Sequence, residues 1–325
     1  MTSSKGSRRA VAVDLGGTWL KCALVDEDGE VSAAQRIATP GDGRDAVLSA
    51  LSSAIESVAD SAGGLSAVDA VGLGSPGTID GDGYLHGAAV NIAGWNDFPI
   101  AGELKRRLGR SVVALNDANA AAMGELRFGA GRGTKDLALI TVGTGIGVGI
   151  VIGGQPHPGQ RGVAGELGHL VIHPGGRRCA CGNLGCIEAY ASASGMRSLV
   201  REMADELDDS ASELAAAARA EVSDVTAEQI YRHLGDGDPL AVAVHETLCD
   251  ALAKAVAALA VTVAPQRIVF AGGIMGSADV ILPRVHEMLG SLVLPHVAAS
   301  VDFATAGLST DAGLVGAAAA ALAQR

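Results

Sequence analysis

Two stretches of this chain repeat one pattern: an apolar run, a glycine turn carrying a threonine, and a second apolar run. Residues 11–15 lead through Gly16, Gly17 and Thr18 into 21–25. Residues 137–142 lead through Gly143, Thr144 and Gly145 into 146–152, where glycine alternates with apolar side chains. Short apolar runs joined by tight glycine turns read as hairpins. The same supersecondary unit met twice implies a duplicated fold with one such hairpin in each half. The remaining pattern is α/β. The acidic turn DEDGE (26–30) precedes a third strand, and further strands are expected at 68–74, 111–115 and 267–271. Apolar residues recur at helical spacing over 45–59, 100–108 and 118–127. Residues 193–264 read as mostly helical with a helix start at DGDPL (236–240), and the alanine-rich 312–322 as a final helix. Residues 81–97 read as loop.

Composition narrows the function classes. The 325 residues are 48% hydrophobic and 18% charged, enough for a large core in two domains. Aromatics are 3%, so that core is built from Ala, Val, Leu and Ile. The formal charge of −12 argues against nucleic acid as a partner, because backbone binding needs a basic surface. The longest apolar helical candidate, 255–264, ends at Pro265, well short of the ~20 residues a bilayer span needs. The N-terminus is polar and basic without an apolar stretch behind it, and reads as a short disordered tail on a cytoplasmic protein. Cys22 and Cys249 stand alone and read as small core residues.

Three glycine turns follow apolar strands, at 16–18, 143–145 and 272–273. Glycine there lets an anionic phosphate approach backbone N–H groups without a Cβ in the way. The dinucleotide fingerprint does not fit, since GTGIGVG is followed by a strand rather than a helix, and no Walker A lysine follows a glycine ahead of Ser or Thr. Nucleotide phosphates are the expected ligand, with Asp14 two residues ahead of the first turn. Asn116 and Asp117 sit where a strand meets a helix. Asp117 reads there both as an N-cap and as the single carboxylate that phosphoryl transfer needs to accept a proton.

Between 165 and 189 the chain reads GELGHLVIHPGGRRCACGNLGCIEA, with Cys179, Cys181 and Cys186 inside eight residues. Thiolates this close share a cation far more readily than they sit free, and a CxC pair is badly strained as a disulfide. Three thiolates and one imidazole close a tetrahedral zinc shell, a structural site that would hold Glu166 and Glu188 around something else. His169 is the first candidate for the fourth ligand; spacing leaves His173 and, more weakly, His157 open.

These motifs together resemble the ROK family (repressor, open reading frame, kinase) of sugar kinases, within the actin-like ATPase superfamily. DLGGTWLK (14–21) is similar to the family's first phosphate loop and NDANAAA (116–122) to its catalytic segment. TVGTGIGVGIVIGG (141–154) through GVAGELGH (162–169) is similar to its signature, CACGNLGCIE (179–188) to its zinc motif and FAGGIM (270–275) to its adenosine loop. That loop departs from the usual three glycines, since Ala271 precedes only Gly272 and Gly273.

The resemblance implies an actin-like ATPase (ribonuclease H-like) fold of two α/β domains with a cleft between them. The smaller domain would span 10–118 plus 307–325 and the larger 119–306, and the hinge is expected near 119–125 and again just before the terminal helix. It implies ATP with Mg²⁺ on Asp14, Gly16, Gly17, Thr18, Lys21, Thr144, Gly145, Gly272 and Gly273. Structural Zn²⁺ would be held by His169, Cys179, Cys181 and Cys186. Asp117 would be the general base, and Asn116, Glu166, His169, Glu188, Gly77, Thr78 and Asn91 would contact the sugar. The implied reaction is phosphorylation of glucose at the 6-hydroxyl, supported by the NxxGW pattern from Asn91 to Trp95 and by the small Thr78. N-acetylmannosamine or N-acetylglucosamine phosphorylation is the alternative within the family, and a non-catalytic sugar sensor the alternative outside enzymes. A homodimer or tetramer is implied. Only ten residues precede the first expected strand, which by resemblance speaks against the family's DNA-binding branch.

Overall fold

The computed structural model describes residues 7–89, 92–207, 211–220 and 225–324. The first half runs β1 (Arg9–Leu15), β2 (Trp19–Asp26), β3 (Val31–Ala38), α1 (Arg44–Asp60), β4 (Ala70–Ser75), β5 (Thr78–Ile79), β6 (Leu85–Ala88), β7 (Asn96–Phe98), α2 (Ile100–Leu108), β8 (Val112–Asn116) and α3 (Asp117–Phe128). The second half opens with β9 (Leu137–Val142), β10 (Ile146–Ile152) and β11 (Gln155–Pro156). After the cysteine-rich segment come α4 (Glu188–Ala191), α5 (Ala193–Ala204), α6 (Glu213–Ala220), α7 (Ala227–Gly235) and α8 (Pro239–Thr262). The chain ends with β12 (Arg267–Ala271), α9 (Ala278–Leu292), α10 (Pro295–Ala298), β13 (Asp302–Thr305) and α11 (Ala312–Ala323). Among the described residues no helix is long and apolar enough to cross a membrane.

The duplication seen in the sequence is a duplication of sheets. One sheet has the order β3-β2-β1-β4-β8 and the other β11-β10-β9-β12-β13, so the second repeats the first strand for strand. In the first sheet β3, β2 and β1 are antiparallel neighbours, whereas β1, β4 and β8 run parallel. In the second, β10 and β11 are antiparallel and β12 and β13 parallel. The stretch 81–97, expected as loop, instead contributes β6 and β7 to a small sheet of order β5-β6-β7. Its strands are two to four residues long, too short to carry a period-2 signal.

The chain divides into two compact units, one of residues 1–139, 149–165 and 306–325, the other of 140–148 and 166–305. This differs from a boundary at 119–125, because α3 stays with the first unit. Side-chain size explains why. On β4 the large residues Val71 and Leu73 point into the cluster that also holds Val11, Val13 and the apolar face of α1. The alternate positions are Gly72 and Gly74, as the period of two requires for the opposite face. A Cβ on Gly72 would lie 2.1 Å from the Ala317 carbonyl oxygen of α11. Helix α11 is apolar and buried nearly all round. It packs on α3 so closely that a Cβ on Gly316 would lie 1.7 Å from the Ala120 oxygen. Small residues on three elements thus bind α3, α11 and the first sheet into one body.

Caps set several other boundaries. Asp238 accepts the Leu240 and Ala241 amides ahead of Pro239, which starts α8 at DGDPL as its sequence suggested. Thr226 and Gln229 form a reciprocal capping box on α7. Cys22 and Cys249 are both fully buried, as expected of core residues.

Candidate active site and metal centre

In the first unit the turn after β1 is closed by the Gly16 amide donating to the Trp19 oxygen at 2.8 Å and by Thr39 Oγ1 donating to the Gly16 oxygen at 2.7 Å. Gly17 and Thr18 are exposed at its tip. Asp14 and Lys21 are register partners on β1 and β2. Lys21 Nζ donates to the Thr310 carbonyl at 2.7 Å and lies 3.7 Å from Asp311. Asp14 occupies the sheet face covered by α11, where a Cβ on Gly313 would stand 3.2 Å from its carboxylate. Burial pushes its pKa above the usual 3.8; Lys21 opposes this, and the charges of Asp117 and Asp311 add to it. Asp311 and Thr310, which complete the cluster, were missed in the sequence because no motif marks the turn before α11.

Asn116 ends β8, and Asp117 is the first residue of α3. The cap role belongs to Asn116 rather than to Asp117: its Oδ1 accepts the Ala118 amide at 2.9 Å and the Asn119 amide at 3.3 Å. Its Nδ2 donates to the Gly77 carbonyl at 3.0 Å, which ties the 75–78 turn to the helix start. Asp117 is exposed there, its Oδ1 accepting the Ala118 amide at 2.8 Å. Thr78 is half-buried on β5, opposite His86. Asn91 lies outside the described residues.

In the second unit Glu188 binds the second glycine turn. Its Oε2 accepts the Ile146 amide at 3.0 Å, and a Cβ on Gly145 would lie 2.6 Å from that oxygen. Its Oε1 accepts from the Cys179 thiol at 3.6 Å, so one carboxylate joins this turn to the cysteine segment. Thr144 is exposed, and its carbonyl accepts the Ser194 hydroxyl at 3.0 Å. Glu166 and His169 share one short helical turn, with Glu166 Oε2 4.0 Å from His169 Nε2. Gly272 has φ +99° because the turn after β12 runs against β9, where a Cβ would meet the Val142 oxygen at 2.3 Å. Gly273, beside it, faces open space.

The ligand atoms of His169, Cys179, Cys181 and Cys186 all lie within 4.8 Å of one another. Cys181 and Cys186 sulfurs are 3.7 Å apart, and Cys179 Sγ is 3.7 Å from His169 Nδ1. A tetrahedral zinc with ~2.3 Å bonds to sulfur spaces its sulfurs about 3.8 Å apart, so the donor set fits that ion in both chemistry and spacing. Burial pushes the Cys179 thiol up to about 12 and raises Cys186, while the Asn183 amide lowers Cys181. A bound cation would be what holds all three as thiolates. His169 joins the cysteines and His173 does not. Its ring packs edge-on to Tyr190, with Nε2 3.3 Å from Lys254 Nζ and 3.4 Å from Asp250. His157 belongs to the first unit, next to β11. The segment turns back on itself at Gly185, at φ +91°, where a Cβ would lie 1.8 Å from the His173 oxygen.

Comparison with known proteins agrees with this geometry. A family model described as "ROK family" matches residues 10–324. The chain is 34% identical to a glucokinase of Thermotoga maritima over 95% of this chain and 96% of that protein. It is 33% identical to an N-acetylmannosamine kinase of Escherichia coli over 97% and 99%. The crystal structure of a ROK family glucokinase from Streptomyces griseus in complex with glucose and AMPPNP superposes with a TM-score of 0.75 at 33% identity, covering 97% of this chain and 99% of that one. The repeated five-stranded sheets are those of the actin-like ATPase fold. With motifs, fold and comparisons in agreement over residues 10–324, the chain belongs to the ROK family.

Proposed function

We propose that this protein is a sugar kinase that transfers the γ-phosphoryl group of ATP to the 6-hydroxyl of glucose. The observation that carries the reading is the neighbourhood of Asp117 and Asp14. Asp14 on β1 pairs with Gly74 on β4, which pairs with Leu115 on β8, two residues before Asp117; burial is the main cause that raises the Asp14 pKa, and the charge of Asp117 adds to it. The proposed proton acceptor and the phosphate-side carboxylate thus belong to one compact unit, which suits positioning-dominated phosphoryl transfer.

Asp117 takes the proton of the attacking hydroxyl late in the transfer. The amides of the 16–18 turn, and separately those of the 143–145 turn, are the donors this reading assigns to stabilising charge that develops on phosphate oxygens. Gly272 and Gly273 take the adenosine. Asp14 is the carboxylate that would hold a Mg²⁺ brought with the nucleotide, and that ion would supply neutralisation of the phosphate charge. Asn116 spends its Oδ1 on the α3 cap and one Nδ2 hydrogen on Gly77, which leaves one hydrogen for a sugar hydroxyl. Gly77 and Thr78 are the further sugar contacts this reading assigns to the first unit. Glu166, His169 and Glu188 supply those of the second. With His169 Nδ1 turned to the cysteines, its Nε2 is left for hydrogen bonding. Zinc on His169, Cys179, Cys181 and Cys186 serves as a structural ion that fixes this segment.

Glucose is favoured over N-acetyl sugars because Thr78 offers a small polar partner suited to a 2-hydroxyl. An acetamido group needs room for its methyl and a partner for its carbonyl. Specificity constants for glucose, mannose, N-acetylmannosamine and N-acetylglucosamine, with ATP and with polyphosphate, test the reading. Glucose with ATP should rank first, and an N-acetyl sugar ahead by tenfold, about 1.4 kcal/mol, would overturn the choice of sugar. Asp117→Asn should lose about 10²–10⁴-fold in kcat while calorimetric glucose binding survives. Near-normal turnover in that variant would move the base role elsewhere.

A further inference from the structure

Ser75, the last residue of β4, and Trp95 are both buried almost completely. The Trp95 indole N–H donates to Ser75 Oγ at 3.0 Å, and the Ser75 hydroxyl donates onward to the Pro76 carbonyl at 3.1 Å. A buried indole N–H has to find an acceptor, so the hydroxyl is matched to the tryptophan. Ser75 is also the register partner of Asn116 on the neighbouring parallel strand β8. Two residues beyond Ser75, the Gly77 carbonyl receives Asn116 Nδ2 at 3.0 Å. Asn116 in turn caps the helix that begins with Asp117.

We propose that the Trp95–Ser75 hydrogen bond is a positioning pair that sets the sugar-side turn 75–78 and, through Asn116, the direction of the Asp117 helix start. Neither side chain is a catalytic residue, since both act through the turn. The proposal rests on the sugar-kinase reading above and deepens it. Trp95 is suited to the task because it is fixed on every side. Its ring packs edge-on against Phe98 at 4.9 Å, its carbonyl accepts the Ala89 amide at 2.9 Å and its own amide donates to the Ile92 carbonyl at 3.2 Å. An anchor held by backbone and ring contacts passes little play to the serine it binds. Removing the hydroxyl strands the indole N–H in a dry site, and the cheapest relief is movement of the turn.

Ser75→Ala in the full chain should raise the KM for glucose about tenfold, equivalent to about 1.4 kcal/mol, and leave the KM for ATP within about twofold. Trp95→Phe keeps an aromatic ring, lacks the donor and should show the same split. Loss of thermal stability with both KM values unchanged would reduce the pair to packing and overturn the proposal. If both variants fail to fold, wild-type protein decides by NMR. The Trp95 indole N–H, told from the other tryptophan, Trp19, through Trp19→Phe, should exchange slowly and shift on glucose addition; a resonance indifferent to glucose overturns the proposal. Failure of the kinase reading would show separately, as wild-type protein that phosphorylates no sugar.

Discussion

Asp14 illustrates how far a single residue can be read from the chain. Its place two residues before a glycine turn makes it the carboxylate proposed for the phosphate side, and the structure adds the reason it is costly. Burial under α11 raises its pKa above 3.8, with Asp117 and Asp311 adding to the effect against Lys21. Because the folded value lies above the unfolded one, ionised Asp14 disfavours folding. That cost is present at pH values above the folded pKa and disappears as pH falls through it towards 3.8. Asp14→Asn should therefore raise Tm at neutral pH, by an increment that shrinks on acidification. Turnover should drop about 10²–10³-fold with the loss of the anchoring charge. Melting curves across pH check the first claim, and a flat difference would reject the burial account. Glu125 is the opposite case, a buried carboxylate that the sequence did not reveal. It accepts the amides of Ala130, Gly307 and Leu308 at 2.8, 3.0 and 2.9 Å. Two of those partners come from the far end of the chain, and no local pattern announces them.

Among the elements, α11 looked in the sequence like an ordinary alanine-rich terminal helix. Its composition follows from what it touches, since only glycine and alanine allow its backbone to meet α3 and the glycine face of β4. Gly316→Ala places a methyl group 1.7 Å from the Ala120 oxygen, where two helix backbones must part. We expect it to destabilise the protein by about 1–3 kcal/mol in denaturant titration. It should also lower kcat, because α3 begins with Asp117; an unchanged kcat would show that the helix start is indifferent to this packing. The cysteine segment is the second informative element. Cys181→Ser should release one zinc per chain by metal analysis and raise the KM for glucose more than that for ATP. Glu188 explains why the nucleotide side would not escape entirely, since it lies beside Cys179 and accepts the Ile146 amide of the second glycine turn. Full activity in zinc-free protein would exclude the proposed role of the ion.

For the whole molecule, duplication is the organising fact, and each sheet delivers a glycine turn at the end of its first strand. A ligand that binds only the folded protein stabilises it by about 2.7 kcal/mol at one hundred times its Kd. Glucose at that excess should raise Tm, and N-acetylmannosamine at the same concentration should raise it less. Equal shifts would mean that Thr78 and its neighbours do not discriminate.

The sequence by itself determined the α/β class, the duplication, the clustering of the three cysteines and the Asn116–Asp117 junction. Each is written in contiguous residues or in a repeated spacing, so local chemistry suffices to read it. Only the tertiary structure decided that His169 rather than His173 joins the cysteines, because four residues of spacing suit either imidazole until Lys254, Asp250 and Tyr190 occupy the second. It alone showed the small β5-β6-β7 sheet, whose strands are too short to show a period. It alone kept α3 with the first unit and gave the helix cap to Asn116. It alone brought Asp311 to Asp14, Glu125 to residues 307–308 and Trp95 to Ser75. Those pairings depend on which distant backbones come within hydrogen-bonding reach, and that is set by packing rather than by any pattern along the chain.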